Sequence, residues 1–154
     1  MANFYRSVLA LALLTGSSSL LAFEITGETF SVEGTVTGVE LTANGGTINA
    51  VGNAGRYGKV FLTWNMTLNP NSDSQGAFTG RGMGIDDDGN REAGSRYGVW
   101  RRSGTTVTTF SLDDVTDGNQ NLCRSTIDLH NNTFTMTFYP VSYTHLTLPT
   151  NREV

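Results

Sequence analysis

Cysteine, proline and histidine are all scarce in this chain, and each shortage removes a class of function. Of 154 residues, one is Cys, three are Pro and two are His. The lone Cys123 rules out an internal disulfide and a cysteine-rich zinc site. His130 is the only histidine before the last ten residues, so no base stands ready beside Cys123 or a serine for a nucleophilic triad. A histidine metal site lacks ligands for the same reason, and neither metal nor cofactor is expected. Charged residues make up only 16% of the chain, and the 10 Lys and Arg are outnumbered by 14 Asp and Glu. An acidic body does not offer the basic surface that displaces counterions from nucleic acid. Amphipathic runs of helical period are missing as well, which leaves strands to build the fold. The one long apolar run, near the N-terminus, is too short and too rich in Ser to span a membrane.

That run belongs to a segment that reads as a secretory signal. Residues 1–22 place Arg6 before SVLALALLTG and then the small residues SSSLLA, with a cut expected after Ala22. A secreted or periplasmic location follows; the alternative is an upstream extension from a misassigned start codon and a cytoplasmic protein. At the other end, residues 141–154, VSYTHLTLPTNREV, resemble a tail produced by translated sequencing adapters in metagenomic assemblies. The body is therefore expected to be one domain over residues 23–140.

Within that body the apolar residues recur every second position, the period of a strand with one buried face. Glu28 to Leu41 alternates Phe30, Val32, Gly34, Val36 and Gly38 with polar neighbours and stops at Asn44-Gly45-Gly46. Thr47 to Tyr57 is small and Gly-rich, either a short strand, INAV, or a loop. Lys59 to Leu68 puts Val60, Leu62, Trp64, Met66 and Leu68 on one face. Ala77 to Ile85 carries Gly80, Gly82 and Gly84 on one face, which suits strong curvature, close backbone approach or a ligand surface. Asp86 to Asn90 is a hairpin turn rather than a calcium loop, because its carboxylates lack the required spacing.

Gly94 to Val115 concentrates aromatic, basic and acidic side chains around a Ser103-Gly104 turn and predicts a β-hairpin. Its first strand sets Tyr97, Val99 and Arg101 on one face and Arg96, Gly98, Trp100 and Arg102 on the other. Asp113 and Asp114 close the second strand. Two more strands follow, Leu122 to Leu129 and a last one with Phe134, Met136 and Phe138 on its apolar face. Seven or eight evenly spaced strands joined by short polar turns predict an all-β antiparallel meander closing into a small β-barrel, since closure removes the exposed edges. A two-sheet β-sandwich is the alternative.

The tripeptide Gly98-Val99-Trp100, within a short secreted meander, resembles the Gly-x-Trp motif of the calycin superfamily, the lipocalin-like barrels. In those barrels the motif lies on the first strand, whereas here it lies mid-chain. The resemblance implies a barrel that holds a small ligand. Candidate ligand-binding residues are Trp64, Tyr97, Trp100, Arg101 and Arg124, all on strands, and the expected ligand is small and either partly apolar or anionic. That reading fails if Trp64, Met66, Phe134 and Phe138 fill the lumen and leave no open pocket. Two alternatives stand beside it. One is a small barrel enzyme in which Asp113 and Asp114 divide acid and base roles; the other is a non-catalytic structural or interaction module.

Overall fold

The computed structural model describes residues 24–142. The secretory signal expected over residues 1–22 and the tail from residue 143 onward lie outside the described residues. The strands are β1 (Glu24–Ile25), β2 (Phe30–Thr42), β3 (Gly45–Asn53), β4 (Lys59–Leu68), β5 (Gln75–Ile85), β6 (Arg91–Ser103), β7 (Thr106–Val115), β8 (Gln120–Asp128) and β9 (Thr133–Ser142), with a single 3-10 turn at Gly55–Tyr57.

These strands form one sheet in the order β1-β9-β2-β3-β4-β5-β6-β7-β8, and a further pairing of β8 with β9 closes it. Every pairing is antiparallel. The short β1 pairs with Val141 and Ser142, beyond the point where β2 leaves β9, so it lengthens that edge and the closed wall has eight strands. Pairing is continuous around the circle, which is a barrel and not a sandwich. Val141 and Ser142 extend β9 past Pro140, and Val141 pairs with Gln120 on β8. No helix among the described residues is long and apolar enough to cross a membrane.

The Gly-rich stretch after residue 44 is a full nine-residue strand. Its small side chains hide the apolar alternation, but Ile48 and Ala50 are buried and the partners on both sides supply the ladder. Large rings on one strand compensate for missing side chains on the next. Phe78 lies opposite Gly98, and Phe134 opposite Gly34. A Cβ at Gly98 would stand 2.7 Å from the Phe78 ring and 2.0 Å from the Phe110 carbonyl oxygen, so only glycine fits there.

An eight-stranded barrel is just wide enough for its inward side chains to fill. Here they do so at mid-height, where Trp64, Phe134, Met136, Ile127 and Val32 are fully buried. Trp64 meets Phe134 edge-on with ring centroids 5.8 Å apart. The barrel therefore has a plugged centre and two separate ends.

Candidate functional site

The plug contains a charge. Arg96 on β6 points inward beside Trp100, and with 1% of its surface exposed it ranks among the most buried large side chains. The strand register sets Asp113 of β7 directly opposite, and Arg96 Nε donates to Asp113 Oδ2 at 2.9 Å. Ser111 Oγ donates to the other carboxylate oxygen at 2.6 Å. The guanidinium lies 4.6 Å from the Trp64 ring centroid, and its Nη2 points at Met136 Sδ at 3.3 Å. Two ionised groups taken from water into this interior hold together only while both are present.

The glycine face of β5 packs beside the arginine. Gly80 is the partner of Arg96, and a Cβ at Gly82 would sit 4.0 Å from the arginine's Cδ. Sequence reasoning passed over Arg96 when it gathered the strand arginines as candidates. The period-two alternation that puts Arg96 on the same face as Trp100 was the signal available for it. The sequence places Asp113 at the close of the second strand; β7 runs on to Val115 and turns its side chain inward.

Nearby, Cys123 is buried, and its thiol is pushed far above the ordinary range by burial first and by the Asp113 carboxylate second. It is a protonated core side chain. Among the described residues, Trp64 Nε1, Thr109 Oγ1 and Ser125 Oγ are buried with no hydrogen-bond partner.

One end of the barrel is strapped. The β3–β4 connection and the β7–β8 turn lie on opposite sides of the eight-stranded circle, yet Tyr57 donates its hydroxyl to Asp117 Oδ2 at 2.9 Å and Arg56 pairs with the same oxygen at 3.3 Å. Arg56 also hydrogen-bonds the Tyr57 hydroxyl. Burial raises the Tyr57 pKa, and its hydrogen bond to Asp117 raises it further. Burial alone would raise Asp117, but hydrogen bonds from Asn119 and Tyr57, with the charge of Arg56, bring it below the usual carboxylate value. Beneath the strap lies a cavity of only about 60 Å³, lined by Tyr57, Leu62, Arg96, Asp113, Asn121 and Phe138 among others. Room there suffices for one or two waters.

The other end holds larger spaces. A chamber of about 230 Å³ is lined by Ile48, Met66, Leu68, Trp100, Val107 and Leu129, with Glu40, Asp73 and Arg102 at its rim. Trp100 Nε1 is held by the carbonyls of Thr67 and Ala77, at 3.2 and 3.1 Å, so the indole is fixed as part of the chamber wall. On the outer wall at the same end, a groove of about 900 Å³ runs between the β4–β5 turn and the outer faces of β6 to β8.

The candidate residues divide between these regions. Trp64 belongs to the plug, and Trp100 lines both the chamber and the groove. Arg101 and Arg124 are exposed and line the groove. Tyr97, 62% exposed, lies on the same outer face of β6 but outside the groove lining. Asp113 and Asp114 point to opposite faces of β7, the first into the plug and the second outward toward Gln120. The two carboxylates do not meet around a common space. Among the described residues, no cluster of three or more His, Cys, Asp or Glu has the arrangement to hold a metal ion. No known family, curated protein or solved structure matches the chain.

Proposed function

We propose that this protein is a small-ligand-binding β-barrel whose ligand enters the chamber at the unstrapped end. The observation that carries the reading is the chamber itself: a concave apolar space ending on a fixed indole, with charged groups only at its rim, is the usual composition of a small-molecule site. At about 230 Å³ it suits a compact, mostly apolar molecule with one polar end. The resemblance of Gly98-Val99-Trp100 to the calycin motif supports the same reading, because those barrels hold small ligands. Export from the cell is part of the proposal and rests on the N-terminal Arg, apolar run and small residues.

The test is a titration with the neutral dye N-phenyl-1-naphthylamine, followed by quenching of Trp100, together with native mass spectrometry of the purified protein. Saturable binding that Leu129→Trp abolishes, by filling the chamber from its rim, is the expected result. No saturable binding by the wild type, or equal binding by Leu129→Trp, would sink the proposal.

A second reading, a partner-binding module, is favoured by one observation. Tyr97 and Leu112 are register partners, as are Val99 and Phe110, and all four are exposed on the outer wall. Sedimentation analysis that shows self-association, lost in Tyr97→Ser/Leu112→Ser, would support that module over the ligand carrier.

A further inference from the structure

We propose that the outer-wall groove is a second binding site, separate from the end chamber, for small organic anions with a flat apolar body. Its volume, about 900 Å³, lies within the range of small-molecule sites. Arg101 and Arg124 both line it, and no Asp or Glu does. That distribution runs against the rest of residues 24–142, where the six other basic residues face thirteen acidic ones. Among the described residues, the ion pairs are Arg56 with Asp117 and Arg96 with Asp113, so neither groove arginine is paired.

The strand register fixes how the two cations are spaced. Arg101 of β6 stands opposite Thr108, and Arg124 of β8 stands opposite Phe110, so the two arginines flank β7 on either side. Their Cα atoms are two strand spacings apart, about 9.6 Å, and offset by two residues along the strand. Long side chains cross that gap, and the exposed Phe110, with Val99 as its partner on β6, lies between them.

A guanidinium is planar and presents paired N–H donors that match a carboxylate, sulfonate or phosphate. Phe110 and Val99 supply the apolar surface for a ring. Asn69 and Pro70 form the opposite wall, and the β4–β5 turn that carries them is tied in place. Asn69 N–H donates to the Gln75 carbonyl at 2.9 Å, and Arg102 N–H to the Ser74 carbonyl at 2.7 Å.

The experiment titrates the full chain with 1-anilinonaphthalene-8-sulfonate and follows backbone amide shifts. Shifts are expected at Val99, Arg101, Thr108 and Phe110. The Arg101→Ala/Arg124→Ala variant is expected to bind the dye about tenfold more weakly, in keeping with two exposed charge contacts. Arg101→Lys/Arg124→Lys should recover part of that loss, and raising NaCl from about 50 to 500 mM should weaken the wild type but not the alanine variant. Both arginines are exposed, so the variants keep the fold, which unchanged binding of neutral N-phenyl-1-naphthylamine verifies in the same samples. Leu129→Trp should block the neutral dye and leave the anionic one in place, which separates failure of the chamber from failure of the groove. Undiminished binding of the sulfonate by the alanine variant, or shifts confined to Ile48 and Val107, would overturn the proposal.

Discussion

The two ends of this barrel are finished with different chemistry, although one continuous sheet makes both. At one end Arg56, Tyr57 and Asp117 reach across the mouth, and the space beneath them is no larger than a water or two. At the other, the turns stay at the rim, and an apolar chamber opens down to Trp100. The plug explains why the ends are independent. Trp64, Phe134 and Met136 fill mid-height, and the Arg96–Asp113 pair sits in the same layer, so nothing entering one mouth reaches the other. Side chains fill this barrel at mid-height, which leaves open space only at its two ends and on its outer wall.

The difference between a sealed centre and accessible ends is measurable, and the largest effect lies at the plug. Cys123 should react with a thiol reagent only when the barrel opens globally, because its thiol is buried and held protonated. Labelling is expected to be slowed by about three orders of magnitude or more relative to the unfolded chain, given ordinary domain stabilities. Fast labelling of the folded protein would show that the plug breathes.

Asp113→Ala leaves Arg96 charged and uncompensated inside the barrel, and a loss of about 3–5 kcal/mol in urea unfolding is expected. The double variant Arg96→Met/Asp113→Ala should recover much of it, since an apolar side chain replaces the stranded charge. If the single variant is as stable as the wild type, the pair does not hold the plug.

Thr109→Val works in the opposite direction. The Thr109 hydroxyl is buried without a partner, so its replacement by a methyl of the same shape should raise stability by about 1 kcal/mol. A loss instead would mean that the hydroxyl finds a partner in solution.

The strap should matter least to stability. Asp117→Asn and Tyr57→Phe are each expected to cost less than about 1 kcal/mol, because Arg56 is largely exposed and its charge is screened. The pH dependence has two limbs. Asp117 has a lowered folded pKa, so its contribution is present above the unfolded carboxylate value and is lost as pH falls through the folded one. Tyr57 has a raised folded pKa, so its contribution is present below the unfolded phenol value and is lost as pH rises through the folded one. Melting curves recorded against pH should show a smaller acid limb in Asp117→Asn than in the wild type. An identical acid limb in both proteins would assign it to Asp86 and Asp128, whose pKa values are also lowered, by hydrogen bonds from Asn90 and Asn131.

Much of the architecture could be read from period and punctuation alone. Alternation in residues such as Val60, Leu62 and Trp64, or Phe134 and Met136, marks which side of each strand is buried, because a pleated strand allows only two faces. Asn-Gly and Asp-Gly signals set the turns, and the wish to remove two exposed edges points to closure. The same alternation separates Arg96 and Trp100 from Tyr97, Val99 and Arg101. These are local properties, carried by neighbours in the chain.

What alternation does not supply is which face of one strand meets which residue of another. Arg96 finds Asp113 across a β6–β7 register, Gly80 and Gly82 on β5 lie beside its side chain, and Trp64 on β4 covers it. Arg101 and Arg124 come to share a groove only because β7 stands between them. Tyr57 and Asp117 meet because closure of the sheet sets the β3–β4 and β7–β8 connections on opposite sides of one mouth. Whether the lumen is open or plugged depends on the summed volume of side chains from eight strands at one height, a quantity no single stretch of sequence contains. The chain by itself determined strands, faces and turns; the closed sheet decided the plug, the strap, the chamber and the groove, because each is made by residues brought together only through strand pairing and packing.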